Sequence, residues 1–193
     1  MNDEQQNRLA EIRGLKEKIT QLQVDYWFSF SDFGTWQFWV VLAALIVPLI
    51  ILILFIDRNN ILLLLFFGIN FHLWFQYVNA AQISMGLLEY PYEILPYLPS
   101  IALDGSIAPV SYILMYQWVL NHAKNIYLHA TLLSAVFAFV AKPIIVSFGF
   151  FHMYKGLNYF HLFLFYLLFF FVSYAITRLF VWMQQKRAGR NSA

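Results

Sequence analysis

The chain has 193 residues, of which 61% are hydrophobic and only 11% charged, with a formal net charge of +2 and no cysteine. A water-soluble domain coats its surface with about a quarter charged residues, so lipid must be the solvent for most of the outside of this chain. The small net charge leaves no footprint for nucleic acid. The missing cysteine excludes disulfides, thiolate metal sites and cysteine nucleophiles.

Residues 1–36 hold an amphipathic helix and an aromatic belt, and within them residues 1–26 are the soluble-looking part. Leu9, Ile12, Leu15, Ile19 and Leu22 recur at spacings of three and four, with Arg8, Glu11, Arg13, Lys16, Glu17 and Lys18 between them. This predicts an amphipathic helix of about four turns. It leaves two readings open: self-association or binding of a partner protein as a short coiled coil, or a helix lying along the bilayer surface or on the bundle. Tyr26, Trp27, Phe28, Phe33, Trp36, Phe38 and Trp39 follow as an aromatic interfacial belt. Nothing here reads as a cleaved signal peptide.

Residues 37–180 are expected to form the transmembrane bundle, with spans at about 37–56, 61–79, 101–120, 126–147 and 159–180. The fold class is therefore all-α integral membrane, with about five transmembrane helices. Pro48 is expected to kink the first span. The second begins purely apolar and then acquires Asn70, His72, Gln76, Asn79 and Gln82. Between the second and third spans lies an acidic, aromatic segment broken by Pro91, Pro96 and Pro99. It is too short and too proline-rich to cross a bilayer of about 30 Å, so it reads as a re-entrant or interfacial piece whose backbone must be shielded by protein. Asp104 or Ser106 is the expected N-cap of the third span, with Pro109 near its first turn. Residues 181–193 form a basic tail.

Arg178, Lys186, Arg187 and Arg190 crowd the last span and argue for a cytoplasmic C-terminus. The bases of the N-terminal helix argue the other way. Relative sidedness follows from parity alone: residues 80–104 and the far end of the fourth span share one side. Glu89, Glu93 and Asp104 therefore share a side with Lys142, which invites an ion pair, because a lone charge in the bilayer costs at least ~2.5–3.5 kcal/mol. The candidate site is a polar pocket lined by Asn79, Gln82, Glu89, Tyr90, Glu93, Asp104 and Lys142. It would hold a polar head group, an ion or a small solute. The same residues could instead be a structural clasp that pins the proline-rich segment to the fourth span.

Other chemistry finds little support. Bis-histidine haem needs two axial ligands at one depth, and only His72 is deep, so it reads as a hydrogen-bonded helix contact. His122 and His152 sit in loops on opposite sides. No metalloprotease helix, nucleophile elbow or phosphate loop is present. Glu89 and Glu93 have helical spacing, but Pro91 stands between them. No cofactor and no catalytic residue is assigned.

Leu-Leu-Glu-Tyr-Pro-Tyr (87–92), Leu-Pro-Tyr-Leu-Pro (95–99), Asp104, Pro-Val-x-Tyr-x-Leu-Met-Tyr-Gln (109–117) and Leu-Ser-Ala-Val-Phe-Ala-Phe-Val-x-x-Pro (133–143) carry a resemblance. They resemble a family of small multi-pass membrane proteins of unknown activity from spore-forming Gram-positive bacteria. The resemblance implies a plasma-membrane location and a spore-former context, and carries over no site residues. The chain departs from the family pattern at Lys142, where an acid is common before the proline, and at Gly156-Leu-Asn-Tyr159, where an aromatic and basic stretch is usual.

The leading expectation is a non-enzymatic membrane protein, either a structural or assembly component or a binder of a small polar or lipid ligand. A transporter or permease-like subunit using the acidic pocket is the alternative. A lipid-modifying enzyme using Glu89 or Asp104 is the third reading. Membrane lipids are the partners common to all three.

Overall fold

The computed structural model describes residues 2–98 and 100–191. Pro99 and residues 192–193 of the expected tail lie outside them. Among the described residues seven α-helices are formed: α1 (Asp3–Phe30), α2 (Trp36–Phe55), α3 (Ile61–Ser84), α4 (Ala108–Asn121), α5 (Ile126–Val136), α6 (Lys142–Ser147) and α7 (Tyr159–Asn191). Two short strands, β1 (Leu88–Glu89) and β2 (His152–Met153), pair antiparallel. Four helical stretches are long and apolar enough to cross a membrane: Trp36–Phe55, Ile61–Ser84, Ile126–Ser147 and Tyr159–Arg187. The protein is thus an all-helical chain of multi-pass membrane character.

The helix expected at 101–120 is present, but it is not one of these four. It lies inside the bundle. Val110, Tyr112, Ile113, Tyr116 and Val119 are all buried, against α3 on one side and α5 on another. α3 is the central element, packed on α4 and α7 through Leu64, Phe67, Phe71 and Phe75, which follow one face at helical spacing. The core is aromatic. Phe71 stacks on Tyr112 at 4.3 Å between centroids, and Phe75 meets Tyr166 and Phe169 at 5.6 and 5.3 Å. α2 has no buried residue and presents most of its surface outward, as a lipid-facing helix does.

The buried serine and threonine hydroxyls of α5 and α7 are tied to the backbone of their own helices. Ser134 donates to the Ala130 carbonyl at 2.8 Å, so it is the Tyr112 hydroxyl that donates to Ser134, at 2.6 Å. Ser173 and Thr177 each donate one turn back along α7. In hydrocarbon this local pairing removes a cost of several kcal/mol per free group.

Several boundaries differ from expectation. α1 has 28 residues rather than about four turns, because a capping box at Asn2 and Gln5 starts it early and the aromatic belt continues it. α7 runs on through the basic tail to Asn191, since residues 181–191 hold no helix-breaking proline. The β1–β2 pairing was not expected at all. It joins two loops that parity places on one side.

Asp104 and Ser106 are not N-caps. Residues 103–107 form a π-helical turn that runs directly into α4, and no side-chain cap bond is made there. Ser106 instead donates to the Leu45 carbonyl of α2 at 2.6 Å. A second π-helical turn, Phe137–Ala141, joins α5 to α6. The physical cause is the same in both. A proline two residues past each turn, Pro109 or Pro143, has no N–H to give and crowds the carbonyl four residues back. The preceding amide shifts one residue further: Ala108 N–H bonds Leu103 and Lys142 N–H bonds Phe137. Such π turns are rare and recur at functional sites.

Candidate functional site

The two π turns carry the two buried charged residues. Asp104 lies within the first and is 0% exposed, and Lys142 closes the second and is 2% exposed. The first π turn also rearranges the backbone. In an α-helix the Asp104 carbonyl would accept from residue 108. Here Ala108 bonds elsewhere and Pro109 has no N–H. His72 fills the gap: its Nδ1–H donates to the Asp104 carbonyl at 2.7 Å. The expectation that His72 is a hydrogen-bonded helix contact therefore holds. Among the described residues no cluster of metal-ligating side chains occurs.

The Asp104 carboxylate anchors the start of this helix to α3. Its Oδ2 accepts from Asn79 Nδ2 at 2.8 Å and from the Ser100 hydroxyl. Asn79 also donates to Ser100 at 2.7 Å and accepts from the Tyr90 hydroxyl at 3.2 Å. Four residues from α3, the proline-rich segment and the π turn are thus tied together in the interior. Ser100 adopts φ +61°, a strained conformation for a residue with a side chain, and this network holds it there. Asp104 Oδ1 has no partner, and neither does the buried Tyr166 hydroxyl.

Lys142 does not pair with an acid. No lysine–carboxylate contact within 4.0 Å occurs among the described residues. Its ammonium instead sits 3.3 Å above the centroid of Phe151 and 5.2 Å from that of Tyr90. The negative faces of the two rings partly replace lost hydration. The expected ion pair of Lys142 with Glu89, Glu93 or Asp104 is not made: Asp104 is held by Asn79 and Ser100, and the backbones of Glu89 and Glu93 are fixed in β1 and against α1. Glu89 is in β1 and accepts from the Tyr154 hydroxyl at 2.6 Å. Glu93 is clipped to the end of α1: its carbonyl accepts from Trp27 Nε1 at 2.9 Å and Ser31 Oγ at 3.1 Å, and its N–H donates to Ser31 at 2.9 Å. The expected set therefore divides. Asn79, Tyr90 and Asp104 form one network, and Lys142 lies beside it on the Tyr90 ring. Gln82 and Lys142 line the same small crevice. Glu89 stands apart. Ser100, Ser31 and Phe151 were not singled out in the sequence, and Trp27 was read only as part of the aromatic belt; the Lys-Pro and Ala-Pro dipeptides within apolar helices could have signalled the π turns.

Beside Lys142 lies an apolar pocket of about 240 Å³. Its walls are Val40, Val41 and Ala44 of α2, Tyr92, Glu93, Ile94 and Leu98 of the proline-rich segment, Ser100 to Leu103, and Ile144, Ile145 and Phe148 of α6. Val40, Ile144 and Phe148 at its margin are outward-facing, so the pocket opens toward the surface that the bundle presents to lipid.

Burial, and secondarily the neighbouring Glu89, pushes the Glu93 carboxyl up from 4.5 to about 8. The folded state then holds this proton more tightly than the unfolded chain between those values, so stability falls as pH rises through the window. Hydrogen exchange of the α1–α2 turn at residues 31–35 should accelerate between about pH 4.5 and 8 beyond the intrinsic base-catalysed increase. Glu93→Gln should remove the excess. An unchanged pH profile in that variant would show that Glu93 does not control the clip.

Compared with family models, with curated proteins and with solved structures, the chain matches none.

Proposed function

We propose that this protein is a non-enzymatic binder of an anionic amphiphile drawn laterally from the bilayer, with Lys142 receiving the head group and the 240 Å³ pocket receiving the upper chain. One observation carries the reading: a lysine almost wholly buried, without a carboxylate within 4.0 Å, at the wall of an apolar pocket that opens outward. A charge in that position is expensive unless something compensates it. The pocket is small beside the ~300–1,000 Å³ common for small-molecule sites, which suits one end of a lipid rather than a whole one. Asp104, held by Asn79 and Ser100, ties the proline-rich segment to α3 and not to the fourth span, and Lys142 is the binding group.

In this reading the chain has five spans. The buried helix through Leu103–Asn121 is the third, and the proline-rich segment before it is a re-entrant or interfacial piece. The C-terminus is cytoplasmic and the membrane is the plasma membrane. A Lys155→Cys variant labelled by impermeant maleimide in intact cells would support this orientation, and labelling only after permeabilisation would reverse it.

The binding test uses protein in nanodiscs containing a photoreactive fatty acid. Capture should fall at least ~10-fold in Lys142→Met, the loss of one charge-assisted contact of about 1.5–3 kcal/mol. Lys142→Arg should keep most of it. Equal capture by Lys142→Met and the parent would sink the proposal and leave a structural component as the better reading.

A further inference from the structure

α1 presents a stripe that its own chain leaves uncovered. Ile12, Leu15, Ile19, Leu22 and Tyr26 are each 45–59% exposed, and Trp27 is the one buried residue of the helix. The last three border an open cleft of about 580 Å³ between α1 and residues 86–96. The rest of α1, back to its first turn, is exposed on every face.

The stripe advances by three, four, three and four residues, which is the heptad step rather than the wider apolar face of a helix lying on a surface. Set at positions a and d, the order is Ile12 (a), Leu15 (d), Ile19 (a), Leu22 (d), Tyr26 (a). A β-branched residue at a with leucine at d is the combination that favours two parallel strands. The flanking positions agree. In a parallel pair, position g of one helix faces position e of the other, five residues on. Glu11 then meets Lys16 twice by symmetry, and Lys18 meets Gln23, with no like charges opposed. A bilayer surface fits less well. Residues 3–25 carry five acids against four bases, and the stripe from Ile12 to Leu22 has no aromatic anchor.

We propose that α1 pairs with α1 of a second copy of this chain as a parallel two-stranded coiled coil through Ile12, Leu15, Ile19 and Leu22. Two copies inserted the same way are related by a two-fold axis along the membrane normal, so helices leaving the same face run parallel. Confinement to the bilayer supplies the effective concentration that two heptads in free solution lack.

The absence of native cysteine makes the test clean. Single cysteines are placed from Ile12 to Leu22 in the full chain and oxidised in native membranes. Disulfide dimers should peak at Ile12→Cys, Leu15→Cys, Ile19→Cys and Leu22→Cys, at least five-fold above Arg13→Cys, Glu17→Cys and Thr20→Cys. Glu11→Lys should weaken the dimer in a native gel, and adding Lys16→Glu should restore it. Uniform or absent cross-linking overturns the proposal. A peak at Ile19→Cys without one at Ile12→Cys also overturns it, because that pattern belongs to an antiparallel pair. Protection of the whole stripe from aqueous thiol reagents without cross-links would instead assign the stripe to the lipid surface.

Discussion

Asp104→Ala is expected to destabilise the protein by about 2–4 kcal/mol, the effect of two buried hydrogen bonds to a carboxylate left unmade. Asn79 Nδ2 and Ser100 Oγ both give their hydrogen to Asp104 Oδ2. Without it the Ser100 hydroxyl loses its acceptor and Asn79 Nδ2 keeps only its bond to Ser100, at roughly 1–3 kcal/mol per unmade bond. Lys142 at the same time loses the one buried negative charge of its surroundings. Asp104→Asn should cost less, because the amide oxygen still accepts from one of the two donors. The measurement is thermal unfolding in a mild detergent with limited proteolysis at residues 90–98. The proline-rich segment should become the first cleavage site in Asp104→Ala. A variant within about 1 kcal/mol of the parent would mean that packing alone holds the segment, with the polar network incidental.

The second large effect is expected at Gly68, where α3 meets α4. A Cβ there would lie 2.2 Å from Ile113 Cδ1 and 2.6 Å from its Cγ1. Ile113 is buried and β-branched, so it has little freedom to withdraw. The helices must separate, and overpacking of this kind costs about 1–3 kcal/mol. In an Ile113→Ala background the clash is gone, and Gly68→Ala should then be neutral or stabilising by up to about 1 kcal/mol from helix propensity alone. The sign change between the two backgrounds is the diagnostic, read as a coupling energy of about 1–3 kcal/mol in a double-mutant cycle. Additive effects would mean that the α3–α4 approach is not set by this contact.

These effects share a feature with the proposed lipid site. In each, a local irregularity of the chain is held by residues far away in sequence. Pro109 widens the turn around Asp104, and His72 of α3 takes up the carbonyl that is released. Pro143 widens the turn before Lys142, and Phe151 from the following loop covers the ammonium. Trp27 and Ser31 at the end of α1 hold the backbone of Glu93, so the N-terminal helix touches the same proline-rich segment that walls the pocket. Pairing of α1 with a second copy would therefore act on a segment next to Lys142.

The membrane character, the helices and the amphipathic N-terminus were legible in the sequence, because each depends on sums over a local window: apolar content across about 20 residues, or an apolar repeat along one helix. The meeting of Asn79, Tyr90 and Asp104 was also expected, since parity and polarity put these residues at one end of one bundle. The choice of partners was not legible. Three acids and one lysine on one side suggest an ion pair, but charge attraction is isotropic and does not say which side chain can reach. Only the tertiary structure decided that Glu89 goes to Tyr154, that Glu93 turns its backbone to α1, that Asp104 is satisfied by Asn79 and Ser100, and that Lys142 rests on two aromatic rings. The reason is that buried hydrogen bonds and ring contacts are settled within a few tenths of an ångström. That precision comes from packing helices α3, α4 and α6 against one another, and no stretch of sequence carries it alone.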